Sequence, residues 1–133
     1  WFEVKSIGAS ATNVTVSSLE QLDCVDEGTL VIMRIDKVAP DRAGAVSLNE
    51  VVCRMCEVLI ENSEALDLFR TKLSEYGYID LQEYSEQKYY WSGQQFYRVN
   101  ESFPKLTAKT IPTQIVSAQY ELSLPSLISW NKG

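Results

Sequence analysis

The sequence predicts an α+β domain, a mixed α/β sandwich in which helical and strand-forming stretches are largely segregated. Three observations predict it. The opening residues alternate with the period of a strand, and the middle of the chain switches to helical spacing. The last third returns to aromatic and β-branched runs punctuated by glycine and proline. The predicted order is β-β-α-β-α-α-β-β-β, in a single domain over residues 1–133.

In the first segment, Trp1 to Ile7, Trp1, Glu3 and Lys5 share one face while Phe2, Val4 and Ser6 share the other. Gly8 to Asn13 is a small, polar turn, and Asn13-Val14-Thr15-Val16 is a short β-branched strand. Ser17-x-x-Glu20 is a capping-box signature, so "SSLEQLD" predicts a short helix carrying Gln21. "TLVIMRIDKV", Thr29 to Val38, is a near-continuous apolar run of strand length and predicts a central strand covered on both faces. The stretch "APDRAGA" is a loop.

Then the period changes. Ser47-x-x-Glu50 is a second capping box, and Leu48, Val51, Val52, Met55 and Leu59 recur at helical spacing. Asn62 or Ser63 caps a further helix with a buried stripe of Leu66, Phe69, Leu73 and Tyr76. Gly77 stands where a left-handed residue ends a helix. "KYYWSGQQFYRV" predicts two aromatic strands joined by a turn at Ser92-Gly93. Phe103-Pro104 and Ile111-Pro112 punctuate a loop, Ile115 to Leu124 alternates as a final strand, and Pro125 begins a short terminal turn or helix.

Composition narrows the chemistry. A net charge of −6 supplies no broad basic face for phosphate backbones, so any nucleic-acid contact must use a local patch. No apolar run approaches the ~18 residues of a membrane span. Three cysteines, Cys24, Cys53 and Cys56, form no disulfide framework and suit reduced thiols in a cytoplasmic protein. Cys53-x-x-Cys56 lies inside a helical pattern with no second pair, and reads as small buried or half-buried helix residues rather than a redox or zinc motif. The chain has no histidine, which removes Ser-His-Asp, Cys-His and His-ligated zinc chemistry from it. Carboxylate, lysine and amide chemistry remain.

Glu3-x-Lys5 is where such chemistry can gather. Metal-dependent cleavage of a phosphodiester needs hard oxygen ligands for the ion and a cation near the attacking water or the scissile phosphate. Side chains two apart on a strand project the same way, so a carboxylate and an ammonium reach one small volume, while Val4 points into the opposite layer. The same tripeptide also suits a solvated pair on a strand face, worth a fraction of a kcal/mol.

The longer run "WFEVKSIGASATNVTVSSLEQLD" resembles bacterial proteins of the PD-(D/E)XK motif family, of the restriction-endonuclease-like superfamily. The resemblance continues through "LDLFRTKLSEYGY", "FYRVNESFPKLT" and "YELSLPSL", and so spans nearly the whole chain. It implies that Glu3 is the acidic metal ligand of the (D/E)-x-K element, Lys5 its catalytic lysine, and Gln21 the glutamine that some members place beside the metal. Exonuclease-type members pair that glutamine with a tyrosine four residues later; here that position is Val25.

An upstream aspartate and helix of that family have no counterpart in this sequence. The chain begins on Trp1 without a methionine, which predicts the C-terminal part of a larger PD-(D/E)XK-type protein: a truncated restriction-endonuclease-like core with a β-rich extension. The implied cofactor is Mg²⁺ or Mn²⁺, bound only with the upstream acid, and the fragment alone is expected to be inactive. The implied partners are DNA and proteins of a restriction or phage-defence system, without a membrane. An unpaired strand edge at Trp1 would favour a homodimer. A nuclease-like subunit without activity, serving interaction or DNA binding, is the alternative.

Two further signals point to packing or solvation first. The aromatics Tyr89, Tyr90, Trp91, Phe96 and Tyr97, flanked by Lys88 and Arg98, suit a base-stacking platform but more simply a sheet face. Arg34, Lys37, Lys105 and Lys109 are scattered cations.

Overall fold

Parallel pairing of two strands organises the chain. The computed structural model, which describes residues 1–133, sets β1 (Phe2–Ile7) parallel to β3 (Gly28–Val38), with Glu3 opposite Leu30 and Lys5 opposite Ile32. Parallel neighbours cannot be joined by a tight hairpin and need a crossover of about a dozen residues or more. Residues 8–27 make it here through a turn, β2 (Asn13–Val16) and a second turn. β4 (Lys88–Val99) completes a three-stranded sheet of order β1-β3-β4. β2 pairs antiparallel with β5 (Tyr120–Ser123), Val14 opposite Leu122, and a 3-10 helix, Leu124–Trp130, follows. Helices α1 (Leu48–Val58), α2 (Ser63–Glu75) and α3 (Gln82–Glu86) lie between β3 and β4 in sequence. The fold is α+β, as the sequence predicts.

By internal contact the chain forms two units, residues 1–35 with 91–133, and residues 36–90. The first contains a dry core. Val14, Val16 and Leu122 from the two-stranded ribbon join Leu30 and Ile32 of β3 and Tyr97 and Val99 of β4 in one buried cluster. Val16, Leu22, Leu30, Ile32 and Val99 have no exposed surface. Each fully buried side chain of this kind is worth about 1.5–3 kcal/mol. Strand β3 is buried from Gly28 to Ile32 and half-buried beyond, so the predicted central strand is covered over its first half. At Gly28 a Cβ would run into the Trp1 ring, so the ring lies directly on the glycine.

Three expectations need correction in this unit. "SSLEQLD" is a turn, not a helix. Its Ser17 N–H is taken by Gln21 Oε1 at 2.9 Å rather than by Glu20, and Asp23 N–H donates to the Glu20 carbonyl at 3.1 Å. Burial of Leu19 and Leu22 fixes that turn, and a helix this short has little stability of its own to resist them. The predicted hairpin in "KYYWSGQQFYRV" is one continuous strand, β4. Ser92-Gly93 carries turn chemistry, yet Ser92 Oγ donates to the Arg34 carbonyl at 3.4 Å and the strand runs on beside β3. The last strand spans only Tyr120–Ser123, not the whole of Ile115 to Leu124. The far edge of β4 is closed instead by the chain's end: Asn131 bridges Tyr97, and Lys132 N–H donates to the Phe96 carbonyl at 2.8 Å.

In the unit of residues 36–90 the predicted caps form. Ser47 Oγ accepts from Glu50 N–H at 3.1 Å while Glu50 Oε2 accepts from Ser47 N–H at 2.8 Å, a reciprocal capping box at the start of α1. Asn62 Oδ1 accepts from Ala65 N–H at 3.0 Å and caps α2, and Gly77 ends it with a left-handed φ of 80°. The predicted stripe of α2 is buried at Leu66 and half-buried at Phe69 and Leu73, but Tyr76 is exposed. Asn49 joins α1 to α3: its amide donates to the Leu81 carbonyl and to Ser85 Oγ, and it accepts from the Tyr78 hydroxyl at 2.6 Å.

Candidate functional site

β1 presents its faces the wrong way round for an ordinary amphipathic strand. Phe2 and Val4 are 70% and 56% exposed, whereas the side chains of Lys5 and Glu3 are only 16% and 25% exposed. A sheltered charged pair opposite an exposed apolar pair is the informative arrangement, because burial normally sorts the other way. The sequence places Val4 on the opposite side from Glu3 and Lys5, as observed, but that side of β1 is open rather than an apolar layer.

The sheltered face brings together all three residues that the sequence singles out. Lys5 Nζ lies 3.5 Å from Glu3 Oε1 and donates a short, charge-assisted hydrogen bond to Gln21 Oε1 at 2.6 Å. Gln21 reaches Lys5 from the turn after β2, not from a helix. Its carbonyl oxygen also accepts the Ser17 N–H at 2.9 Å, so both of its lone pairs are used. Gln21 is therefore a positioning residue: it fixes the ammonium and closes its own turn, and its oxygen has no lone pair left for a metal in this arrangement.

The donor set can be tested against Mg²⁺, which wants about six oxygens in near-octahedral array. Glu3 is the one carboxylate of the trio, and no group of three or more Asp, Glu or Cys side chains that could hold a metal ion occurs in the chain. One carboxylate beside an ammonium, with the amide oxygen already engaged, does not make a complete Mg²⁺ site, and no hydrolytic step can be written through an ion held by these residues alone.

Elsewhere several cations flagged by the sequence have side-chain partners. Lys88 pairs with Glu50 at 2.9 Å, Arg98 with Glu27 at 3.1 Å and Lys109 with Asp23 at 3.8 Å, while Lys105 Nζ lies 3.8 Å from Cys24 Sγ. The aromatic run divides: Tyr97 is a core residue and Trp91 is exposed. Burial pushes the Tyr97 phenol above its ordinary value.

Arg34 has a role that the sequence does not disclose. Its guanidinium donates to the carbonyls of Gly8, Ala9 and Ala11 at 3.3, 3.0 and 2.8 Å and to Gln95 Oε1 at 3.1 Å, holding the turn between β1 and β2. The three carbonyls gather around one guanidinium nitrogen, Nη1, while Nη2 reaches Gln95, and nothing local in "VIMRID" marks this role. No helix is long and apolar enough to cross a membrane.

No curated protein and no solved structure matches the chain. A family model does match, over residues 1–125, and those residues contain Glu3, Lys5 and Gln21. By that match the chain belongs to the nuclease-like family described as "Putative PD-(D/E)XK family member".

Proposed function

We propose that the full-length protein hydrolyses DNA phosphodiester bonds with a divalent cation, Mg²⁺ or Mn²⁺, and that Glu3 and Lys5 belong to its site. The observation that carries this reading is the convergence of carboxylate, ammonium and amide on one sheltered face of β1, with the amide contributed from 16 residues further along the chain. A solvated surface pair needs no such support. Held by Glu3 and Gln21, the Lys5 ammonium is a preorganised positive charge for the phosphate oxygens on which charge accumulates. Glu3 supplies an anionic oxygen ligand, and the reading requires further acidic ligands from outside these residues. The family resemblance suggests bacterial cytoplasm as the setting, and a restriction or anti-phage defence system whose proteins are partners.

A second reading is favoured by the incomplete ligand set: a nuclease-like subunit without activity that serves DNA binding or protein interaction. Plasmid cleavage by the full-length protein in Mg²⁺ or Mn²⁺ separates the two. The expected result is a loss of about 10²-fold or more in Glu3→Ala and Lys5→Ala, the scale on which preorganised charge stabilisation acts. Equal cleavage by wild type and both variants removes these residues from the site. DNA binding without cleavage by the wild type selects the second reading.

A further inference from the structure

A cleft lies away from Glu3 and Lys5. It encloses about 650 Å³ in the unit of residues 1–35 and 91–133, and its lining includes Arg98, Asn100, Ser102, Trp130, Asn131 and Lys132. In a chain of net charge −6, the only charged side chains of that lining are two cations.

The hydrogen bonds around the cleft leave it rich in donors. Lys132 Nζ donates to the neutral Thr29 hydroxyl at 2.9 Å rather than to a carboxylate. Arg98 pairs with Glu27, but both side chains are more than half exposed, and a solvated pair of this kind is readily exchanged for another anion. Asn100 uses its oxygen to accept from the Ser102 N–H and hydroxyl at 3.1 and 2.8 Å, and Asn131 uses its oxygen to accept from Gly133 N–H at 2.7 Å. Each oxygen is thereby engaged within its own loop, and the carboxamide NH₂ groups are the ends left to donate. Guanidinium, ammonium and two carboxamides together match an anion that offers only acceptors.

The cleft also has a fixed aromatic wall. Trp130 is half-buried, its Nε1–H donates to Ser102 Oγ at 3.1 Å, and its ring meets Phe103 edge-on at 5.8 Å. An indole held at both its edge and its nitrogen presents a rigid flat surface at little entropic cost, the kind of surface on which a nucleobase stacks. We propose that this cleft binds the phosphate of a nucleotide between Arg98 and Lys132, with the base against Trp130. Part of the lining, residues 129–132, lies beyond the family match, so the proposal concerns this chain's own C-terminal segment.

The test is a metal-free binding titration of the protein with a deoxynucleoside 5′-monophosphate, a 5′-phosphorylated oligothymidylate, the same oligomer ending in a hydroxyl, and inorganic phosphate. The phosphorylated oligomer is expected to bind about tenfold tighter than the hydroxyl-ended one, and Lys132→Gln and Arg98→Gln to weaken it about fivefold each, as charge-assisted contacts would. The Trp130 indole resonance should shift on addition of the mononucleotide, which places the ligand at this cleft rather than at the cleavage site. A mononucleotide as good as the oligomer identifies a free nucleotide as the ligand; a better oligomer identifies a strand end. Indifference to the terminal phosphate, unchanged binding in both variants, or inorganic phosphate binding as tightly as the nucleotides would each overturn the proposal.

Discussion

The two units of this chain are held together by different means. Residues 1–35 and 91–133 share a cluster of buried side chains, built from residues far apart in sequence. In residues 36–90, α1 buries no residue and α2 buries only Leu66, yet both helices are capped by side chains within three residues of their first turns. One unit is specified by a buried apolar core and the other chiefly by hydrogen bonds, local at its caps and longer in reach at Asn49 and Glu50. Energies of very different size follow.

The largest difference should appear on cutting back apolar side chains. Ile32→Ala removes a side chain with no exposed surface and is expected to cost about 2–5 kcal/mol in urea unfolding. Val58, on α1, is 76% exposed, and Val58→Ala should stay within about 0.5 kcal/mol. Similar losses in both would erase the contrast between the units.

The capping box gives a middle-sized effect in the opposite place. Ser47→Ala should cost about 1 kcal/mol and speed amide exchange in the first turn of α1, with the amides of β3 unaffected. Loss of protection in both at once would mean that the units unfold together.

Acid supplies the smallest and most local probe. The Lys88 ammonium, and after it the Ser47 N–H, holds the Glu50 carboxyl below its ordinary value of 4.5. A depressed carboxyl stabilises the folded form above its unfolded pKa, and that contribution is lost as pH falls through the folded pKa. Stability should therefore slope downward below about pH 4.5, and Glu50→Gln should flatten that part of the slope when unfolding is followed against pH.

The same division explains what could be read from the sequence. Ser47-x-x-Glu50, Asn62 and Gly77 are local devices, and the helix starts and stops they predict are present. Glu3 and Lys5 were legible as a pair because a strand's period alone puts them on one face. Ser17-x-x-Glu20 carries the same signature as Ser47-x-x-Glu50, but Leu19 and Leu22 are drawn into the core and the segment becomes a turn. Ser92-Gly93 failed as a turn signal for a related reason, since the pairing of β4 with β3 overrides it. The grip of Gln21 on Lys5 and of Arg34 on residues 8–11 depends on tertiary approach, which no spacing encodes.

The closure of β4 by Asn131 and Lys132 matters to anyone cutting this protein at its family boundary. A chain stopped at residue 125 would lose Leu127 from the interior and strip the Phe96 carbonyl of its partner, leaving β4 as a bare strand edge. Such a border recruits other molecules, so the shorter product should be the one that comes out of solution.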